Sequence, residues 1–149
     1  MIYTSYFAKL KQIDKLNDNK EGKTYIPISI CAKTPNWYTG WQYKKLAPKY
    51  NFFMKWKQNH DNDFYIEHFQ KEVLDTLDLR QVLKDFVGVL DKDTWLKRDT
   101  LAPIWLDTNI NFVLLCYEKP SDFCHRHLVA DWINKELNSE YVKELEFNK

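Results

Sequence analysis

The feature that most constrains the fold of this chain is the run Ile110 to Tyr117 (INFVLLCY), which is almost wholly apolar over the length of one β-strand. Such a run is typical of a strand covered on both faces, as in a parallel sheet packed between helices. Two other strand-like segments, Ile2 to Tyr6 and Tyr25 to Cys31, are separated from it by helical patterns. Interleaved strands and helices favour an α/β fold, Rossmann-like, with a small, mostly parallel sheet flanked by helices. Ile110 to Tyr117 is the predicted central strand.

The helical segments are recognised by the spacing of their apolar residues. This spacing predicts helices over Phe7 to Leu16, Asp61 to Asp78 and Leu79 to Leu90. A fourth helix is predicted to run to about Leu137 from a turn and N-cap at Pro120 and Ser121. Tyr141 to Phe147 is predicted as a last strand.

Length and composition restrict the function classes. The 149 residues, 44% of them hydrophobic, suit a single domain over residues 1–149, and a net charge of +1 gives no overall field for nucleic acid. No apolar run is long enough to span a bilayer, and the start of the chain lacks the apolar core of a signal peptide. Three cysteines without a secretory signal argue against a disulfide framework, so we expect a cytoplasmic protein.

Two segments combine aromatic residues with turns or with lysines. Lys33 to Trp41 carries Trp37, Tyr38 and Trp41 beside proline and glycine, which predicts an ordered loop that packs or binds. Lys44 to Lys57 interleaves five lysines with aromatics, a pattern shared by nucleic-acid or protein-binding surfaces and by ordinary charged faces with inward aromatics.

The candidate functional segment follows the predicted central strand. From Cys116 to His127 the chain places a strand end, a carboxylate at Glu118 and a Cys-His-Arg-His helix start in succession. Ligands in such sheets lie beyond the carboxyl ends of the strands, and a helix start favours anions. Arg126 adds a guanidinium, which can donate two parallel hydrogen bonds, in a chain whose basic residues are mostly lysines.

Each residue of this segment has alternative roles. Cys124 is a possible nucleophile, with Glu118 and His125 as acid or base, or else a buried apolar side chain. A metal site has suitable ligand types but no CxxC or HxxxH spacing, so no metal and no cofactor are expected. The alternative for Arg126 is a salt bridge to Asp122 or Asp131, and His127 has the alternative of a hydrogen bond to a loop carbonyl.

Two motifs resemble a known family. The runs Leu114 to Pro120 (LLCYEKP) and Phe123 to Ala130 (FCHRHLVA) are similar to the strand ending in Leu-Cys-x-Glu and the helix beginning Cys-His-Arg of the bacterial and phage family called domain of unknown function 488. Segments that resemble its shorter phage-type members are found at residues 2–6, 28–30, 35–37 and 46–48. The Asp-x-Arg of the longer members has no equivalent here. The resemblance implies an α/β fold with a pocket and no established reaction.

The resulting hypothesis is a binder of a small anionic, nucleotide-like ligand. The predicted ligand-binding residues are Cys116, Cys124, His125, Arg126, Ser29, Trp37, Tyr38 and Trp41. The alternatives are an enzyme acting on a nucleotide, nucleoside or modified base, and an inhibitor module that binds protein or nucleic acid. A lysine- and asparagine-rich composition together with the resemblance suggests a phage or low-GC bacterial source, and a role in countering host defence by sequestering a nucleotide signal.

Overall fold

The computed structural model of the chain describes residues 1–18, 22–88, 110–119 and 122–147. Five strands and five α-helices make up this part of the chain. The strands are β1 (Ile2–Tyr6), β2 (Thr24–Ser29), β3 (Trp41–Gln42), β4 (Ile110–Cys116) and β5 (Val142–Glu144). The helices are α1 (Leu10–Asp18), α2 (Tyr50–Asn59), α3 (Asn62–Glu72), α4 (Leu79–Val87) and α5 (His125–Leu137), with short 3-10 turns at Phe7–Lys9, Lys44–Leu46 and Leu74–Thr76.

The five strands form one parallel sheet in the order β3-β2-β4-β1-β5. β4 lies in the middle, with Leu114 opposite Thr4 of β1 on one side and opposite Ile28 of β2 on the other. Its residues from Asn111 to Cys116 are all buried. The predicted α/β fold and the predicted central strand are therefore confirmed.

Alternate side chains of β4 enter two different cores, because successive residues of a strand point to opposite faces. Phe112 and Leu114 belong to the larger core, which contains apolar side chains of α2, α3, α4 and α5. Val113 and Leu115 belong to a smaller core on the other face, with Ile13 of α1. Both faces of the central strand are thus covered, as its apolar sequence requires.

Helix boundaries differ from the predictions at several places. α1 runs over Leu10–Asp18 after a 3-10 turn, and α3 ends at Glu72, short of the predicted end at Asp78. α5 begins at His125 with Cys124 as its N-cap, so the predicted start at Ser121 is wrong, and Pro120 and Ser121 themselves lie outside the described residues. α4 ends at Val87, and positions 89 and 90 of the predicted helix also lie outside the described residues. Asp61, the first residue of the predicted helix, is the N-cap of α3, and its carboxylate accepts a hydrogen bond from the Phe64 N–H.

None of the helices in residues 1–18, 22–88, 110–119 and 122–147 is both long and apolar enough to cross a membrane.

Candidate functional site

The site lies where the chain leaves two neighbouring strands toward opposite faces of the sheet. After β2 the connection packs Tyr38 into the smaller core with α1, whereas after β4 the chain enters α5, whose Ile133 packs in the larger core. Such divergence opens a crevice beyond the strand ends, the usual location for ligands in this class of sheet.

A pocket of about 410 Å³ occupies this crevice, and we call it the β2/β4 pocket. Its volume lies within the range of small-molecule sites in proteins. Its lining residues come from the ends of β2 and β4, from α2 and from the start of α5: Cys31, Ala32, Lys33, Pro48, Phe53, Trp56, Lys57, Tyr117, Glu118 and His125.

Aromatic rings and lysines form the outer wall of the pocket. Phe53 and Trp56 of α2 lie with their ring centroids 6.1 Å apart, and the Lys57 Nζ lies 5.1 Å from the Phe53 ring. Across the opening, the Tyr117 hydroxyl donates a hydrogen bond to the Lys33 carbonyl at 2.8 Å. The wall therefore offers flat apolar faces with positive charges close beside them.

Glu118 supplies the negative charge of the pocket. Its side chain lines both the β2/β4 pocket and a small adjoining cleft that also contains Cys124 and Phe123. Among the described residues, no side chain donates a hydrogen bond to its carboxylate. Burial first, and the Glu118 charge second, raise the pKa of the Cys31 thiol to about 12, so Cys31 stays protonated.

Cys116 and Cys124 are joined by a disulfide bond in this structure. The expectation that the cysteines form no disulfide is therefore wrong for this pair. The pairing arises because the end of β4 and the N-cap of α5 meet in space, which a separation of eight residues along the sequence does not reveal. In this oxidised form neither sulfur is available as a nucleophile, and Cys31 is the free cysteine.

His125 connects the disulfide to the pocket. Its Nε2–H donates a hydrogen bond of 2.7 Å to the Ile30 carbonyl, which leaves Nδ1 as the unprotonated nitrogen. Nδ1 lies 3.5 Å from the Cys116 Sγ and 3.9 Å from the Cys124 Sγ. Burial lowers the pKa of His125 to about 4, and the neighbouring Arg126 charge acts in the same direction.

Arg126 faces away from the pocket. Its guanidinium is completely buried and holds the Glu144 carboxylate through Nε at 3.1 Å and Nη2 at 3.2 Å. Nη1 donates to the Glu118 backbone carbonyl, and the guanidinium carbon lies 5.6 Å from the Tyr6 ring. Arg126 thus forms an ion pair whose partner is neither Asp122 nor Asp131.

His127 is half-buried on the same turn of α5. Its Nε2 is buried without a hydrogen-bond partner among the described residues, and no loop carbonyl of that part of the chain accepts from it. Burial lowers the pKa of His127, and the Arg126 charge adds to this effect.

The other predicted ligand-binding residues lie outside the lining of the β2/β4 pocket. The Ser29 hydroxyl is buried and accepts a hydrogen bond from the Cys31 N–H, so it shapes the strand end. The Tyr38 hydroxyl donates to the Trp41 carbonyl at 2.7 Å. Trp37, in the loop after β2, is 63% exposed, and Trp41, the first residue of β3, is 53% exposed.

The aromatic wall on α2 was not among the predicted site residues. Its members lie in the lysine-rich segment from Lys44 to Lys57, which was predicted to be a binding surface or an ordinary charged face. The spacing of Phe53, Trp56 and Lys57 at helical intervals was the available signal, because it places them on adjoining turns of one helix. In the same segment Lys45 pairs with Asp85 at 3.7 Å.

Three side chains near the pocket could hold a metal ion if the disulfide were open. The donor atoms of Cys116, Cys124 and His125 all lie within 4.8 Å of one another and are buried. While the sulfurs are bonded to each other they cannot bind a metal as thiolates.

Comparison with known protein families gives a match over most of the chain. The family model described as "DUF488-N3a: Active DUF488-N3 subclade" matches residues 8–137. No curated protein and no solved structure matches the chain.

Proposed function

Because the chain belongs to the DUF488 family, whose matched subclade is described as active, we propose that its β2/β4 pocket binds a small anionic ligand with a planar, nucleobase-like ring. The observation that carries this proposal is the lining of the pocket, which combines two aromatic side chains of α2 with two lysines. A ring can stack on Phe53 or Trp56, while a phosphate or carboxylate pairs with Lys33 or Lys57.

Glu118 adds selectivity to this arrangement. A carboxylate to which no described residue donates can accept hydrogen bonds from ring N–H groups or sugar hydroxyls, and it repels an anionic group placed beside it. The ligand is therefore oriented with its polar ring edge toward Glu118 and its charge toward the lysines at the opening. Arg126 has no part in this binding, since its guanidinium is paired with Glu144.

Titration calorimetry against nucleosides, nucleotides and cyclic dinucleotides tests the proposal. We expect at least one nucleotide to bind, and Lys33→Ala with Lys57→Ala to weaken that binding at least tenfold. The matched control is Lys11→Ala with Lys15→Ala, two exposed lysines of α1 on the opposite face of the sheet. Absence of binding by every compound, or equal loss in both double variants, would count against the proposal.

A second candidate function is turnover of such a ligand, with Glu118 as general acid or base. The specific observation is that this carboxylate lines both cavities and accepts no hydrogen bond from the described residues. Incubation with each bound nucleotide, followed by chromatography and mass spectrometry, tests it. Glu118→Gln is expected to abolish product formation while ligand binding persists, and Glu136→Gln on the exposed side of α5 serves as the control. Product formation that survives Glu118→Gln excludes this role.

The lysine- and asparagine-rich composition and the resemblance to phage-type members support a proposal for the biological setting. We propose that the protein acts in the cytoplasm of a low-GC bacterium, or of a phage-infected cell, and sequesters a nucleotide signal of host defence. Expression of the chain in a host with a nucleotide-signalled defence is expected to restore phage growth. The double variant Lys33→Ala with Lys57→Ala is expected to lose this effect, and equal restoration by both forms would contradict it.

A further inference from the structure

We propose that, after reduction of the Cys116–Cys124 disulfide, the two thiolates and His125 Nδ1 bind a zinc-type divalent cation whose fourth coordination position opens toward the β2/β4 pocket. The proposal depends on neither the nucleotide ligand nor turnover, because it concerns three side chains deeper than the aromatic wall. It applies to the reduced protein, since the oxidised pair offers no thiolate.

The positions of the donor atoms fit a tetrahedral ion. With zinc bond lengths of about 2.1 Å to nitrogen and about 2.3 Å to sulfur, the nitrogen and sulfur ligands of one ion lie about 3.6 Å apart. His125 Nδ1 lies 3.5 Å from the Cys116 Sγ and 3.9 Å from the Cys124 Sγ. The imidazole nitrogen therefore already has the separation from both sulfurs that a shared ion needs.

The two sulfurs must move apart once their bond is broken. In a tetrahedral site they lie about 3.8 Å from each other. The Cα atoms of Cys116 and Cys124 are 7.2 Å apart, so the side chains can direct their sulfurs at one ion between them without a shift of β4 against α5. Cys116 ends the central strand and Cys124 caps the helix, and both positions are fixed by the sheet and by α5.

The histidine is oriented as metal-binding histidines are. In such sites the nitrogen that does not bind the ion donates its hydrogen to a carbonyl or carboxylate, which fixes the tautomer and the ring. Here His125 Nε2 donates to the Ile30 carbonyl at 2.7 Å and Nδ1 points at the sulfurs. The ring is also packed against Phe69, with 5.6 Å between centroids.

The described residues place three protein donors around the site. A set of three protein ligands is typical of zinc sites that keep one position for water or a substrate atom. The open coordination position faces the β2/β4 pocket, because His125 lines this pocket and Cys124 lines the adjoining cleft. An ion there would act as a Lewis acid on a bound oxygen, and Glu118, which lines the same two cavities, is the candidate proton acceptor.

The redox step is balanced by an external dithiol of the thioredoxin class. The dithiol transfers two electrons and two protons to the S–S bond, becomes a disulfide itself and leaves Cys116 and Cys124 as thiols. Binding of the cation then releases both thiol protons to solvent as the two metal–sulfur bonds form.

Cobalt(II) and zinc(II) titrations of the full-length chain test the proposal. Protein reduced with a phosphine and then freed of it is expected to bind one Co²⁺ per chain, with thiolate-to-cobalt charge transfer and visible bands typical of a tetrahedral ion. Zn²⁺ is expected to displace the cobalt and to protect the Cys116 and Cys124 thiols from alkylation. The oxidised wild-type chain is expected to show neither the charge-transfer absorption nor the visible bands.

Variants identify the ligands. Cys124→Ser and His125→Ala are each expected to weaken Co²⁺ binding at least tenfold, and Cys31→Ser is expected to keep it unchanged. The proposal is overturned if the reduced chain binds no Co²⁺, if the oxidised chain binds it equally well, or if Cys31→Ser weakens binding as much as Cys124→Ser does. Circular dichroism of each variant shows whether it is folded, and the comparison of oxidised with reduced wild-type protein stands whether or not the variants fold.

Discussion

At the scale of single residues, the buried Arg126 is held by partners within the protein. Arg126 links three parts of the molecule: the Glu144 carboxylate in β5, the backbone after β4 and the Tyr6 ring at the end of β1. The sequence indicated that Arg126 mattered, since arginines are rare here. It could not identify Glu144, because partners 18 residues apart meet only through the sheet order.

Removal of Glu144 tests this ion pair. Glu144→Ala leaves the guanidinium buried without its carboxylate, and breaking a buried pair in this way costs about 3 kcal/mol of unfolding free energy. Urea denaturation followed by circular dichroism measures the loss. Glu146→Ala, an exposed position nearby, is expected to change the unfolding free energy by less than about 0.5 kcal/mol. Equal effects of the two substitutions would show that the ion pair between Arg126 and Glu144 adds nothing to the free energy of unfolding.

The state of the three cysteines gives a second test at this scale. With one disulfide and one buried thiol of raised pKa, the native oxidised chain is expected to react with no thiol reagent at neutral pH. In denaturant without reductant one thiol, that of Cys31, is expected to react, and Cys31→Ser removes it. Three reactive thiols in denaturant before any reduction would contradict the disulfide.

The buried imidazole of His125 predicts a pH dependence of stability. Its pKa is about 4 in the folded chain and has the ordinary value of 6.5 in the unfolded chain, so the unfolded state takes up the proton first as pH falls. The contribution of His125 to the free energy of unfolding is fully present above about pH 6.5. It falls progressively toward about pH 4, by up to about 3 kcal/mol.

Urea unfolding of the oxidised, chelator-treated chain at about pH 7 and about pH 5.5 measures this effect, with an expected loss of about 1 kcal/mol from His125. His125→Gln keeps a donor for the Ile30 carbonyl and is expected to flatten the profile, although His127, whose pKa is also lowered, contributes a remaining slope. Exposed His60, replaced by Asn, is the control and is expected to keep the wild-type slope. A flat wild-type profile would refute the prediction.

At the scale of helices and strands, an asparagine bracket is used twice to attach a strand to a preceding helix. Asn17 of α1 accepts from the Tyr25 N–H and donates to its carbonyl, at 2.7 and 2.9 Å. Asn134 of α5 makes the same pair of bonds with Val142 at the start of β5. A side-chain amide thus mimics a neighbouring strand at both places.

Strong periodicity made most of the elements predictable from the sequence, whereas α2 was missed. Ile110 to Cys116 was recognised because an almost wholly apolar run of this length is typical of a buried strand. α2 was missed because Lys49, its N-cap, makes no side-chain cap and only Phe52 of the helix is fully buried. The start of α5 was misplaced because Cys124 is an N-cap without a capping side chain.

The bracket in α5 can be tested directly. Asn134→Ala removes both bonds to Val142 and leaves its buried N–H unpaired, which is expected to cost about 2 kcal/mol. Because β5 has three residues, hydrogen exchange of the β5 amides is expected to accelerate more than that of the β4 amides. Lys135→Ala, exposed on the same helix, is the control. Unchanged exchange in β5 would mean that pairing with β1 suffices to hold the strand.

At the scale of the whole molecule, β4 joins the two cores by sending alternate side chains into each. Phe112 and Leu114 pack with four helices, and Val113 and Leu115 pack with α1. The sequence predicted a single domain over residues 1–149, and a shared central strand is expected to make the unfolding of the two cores one event. This prediction has a direct measurement.

Thermal and urea unfolding of the chain are expected to show one transition, with tryptophan fluorescence and far-ultraviolet circular dichroism coinciding. Leu114→Ala, in the larger core, is expected to lower the unfolding free energy by about 3 kcal/mol and to shift both signals together. Val113→Ala, on the opposite face, is expected to shift them together as well, by a smaller amount. Separate midpoints for the two probes would indicate that the cores unfold independently.

The origin of the pocket wall has a consequence for comparisons within the family. α2, a ten-residue helix outside the sheet, contributes Phe53, Trp56 and Lys57 to the wall. The ends of β2 and β4 supply the base of the pocket. Ligand preference can therefore diverge among relatives through substitutions in one helix, while the strand end and the Cys-His-Arg helix start stay unchanged. A ligand identified for one member should accordingly be transferred to another only where their α2 residues agree.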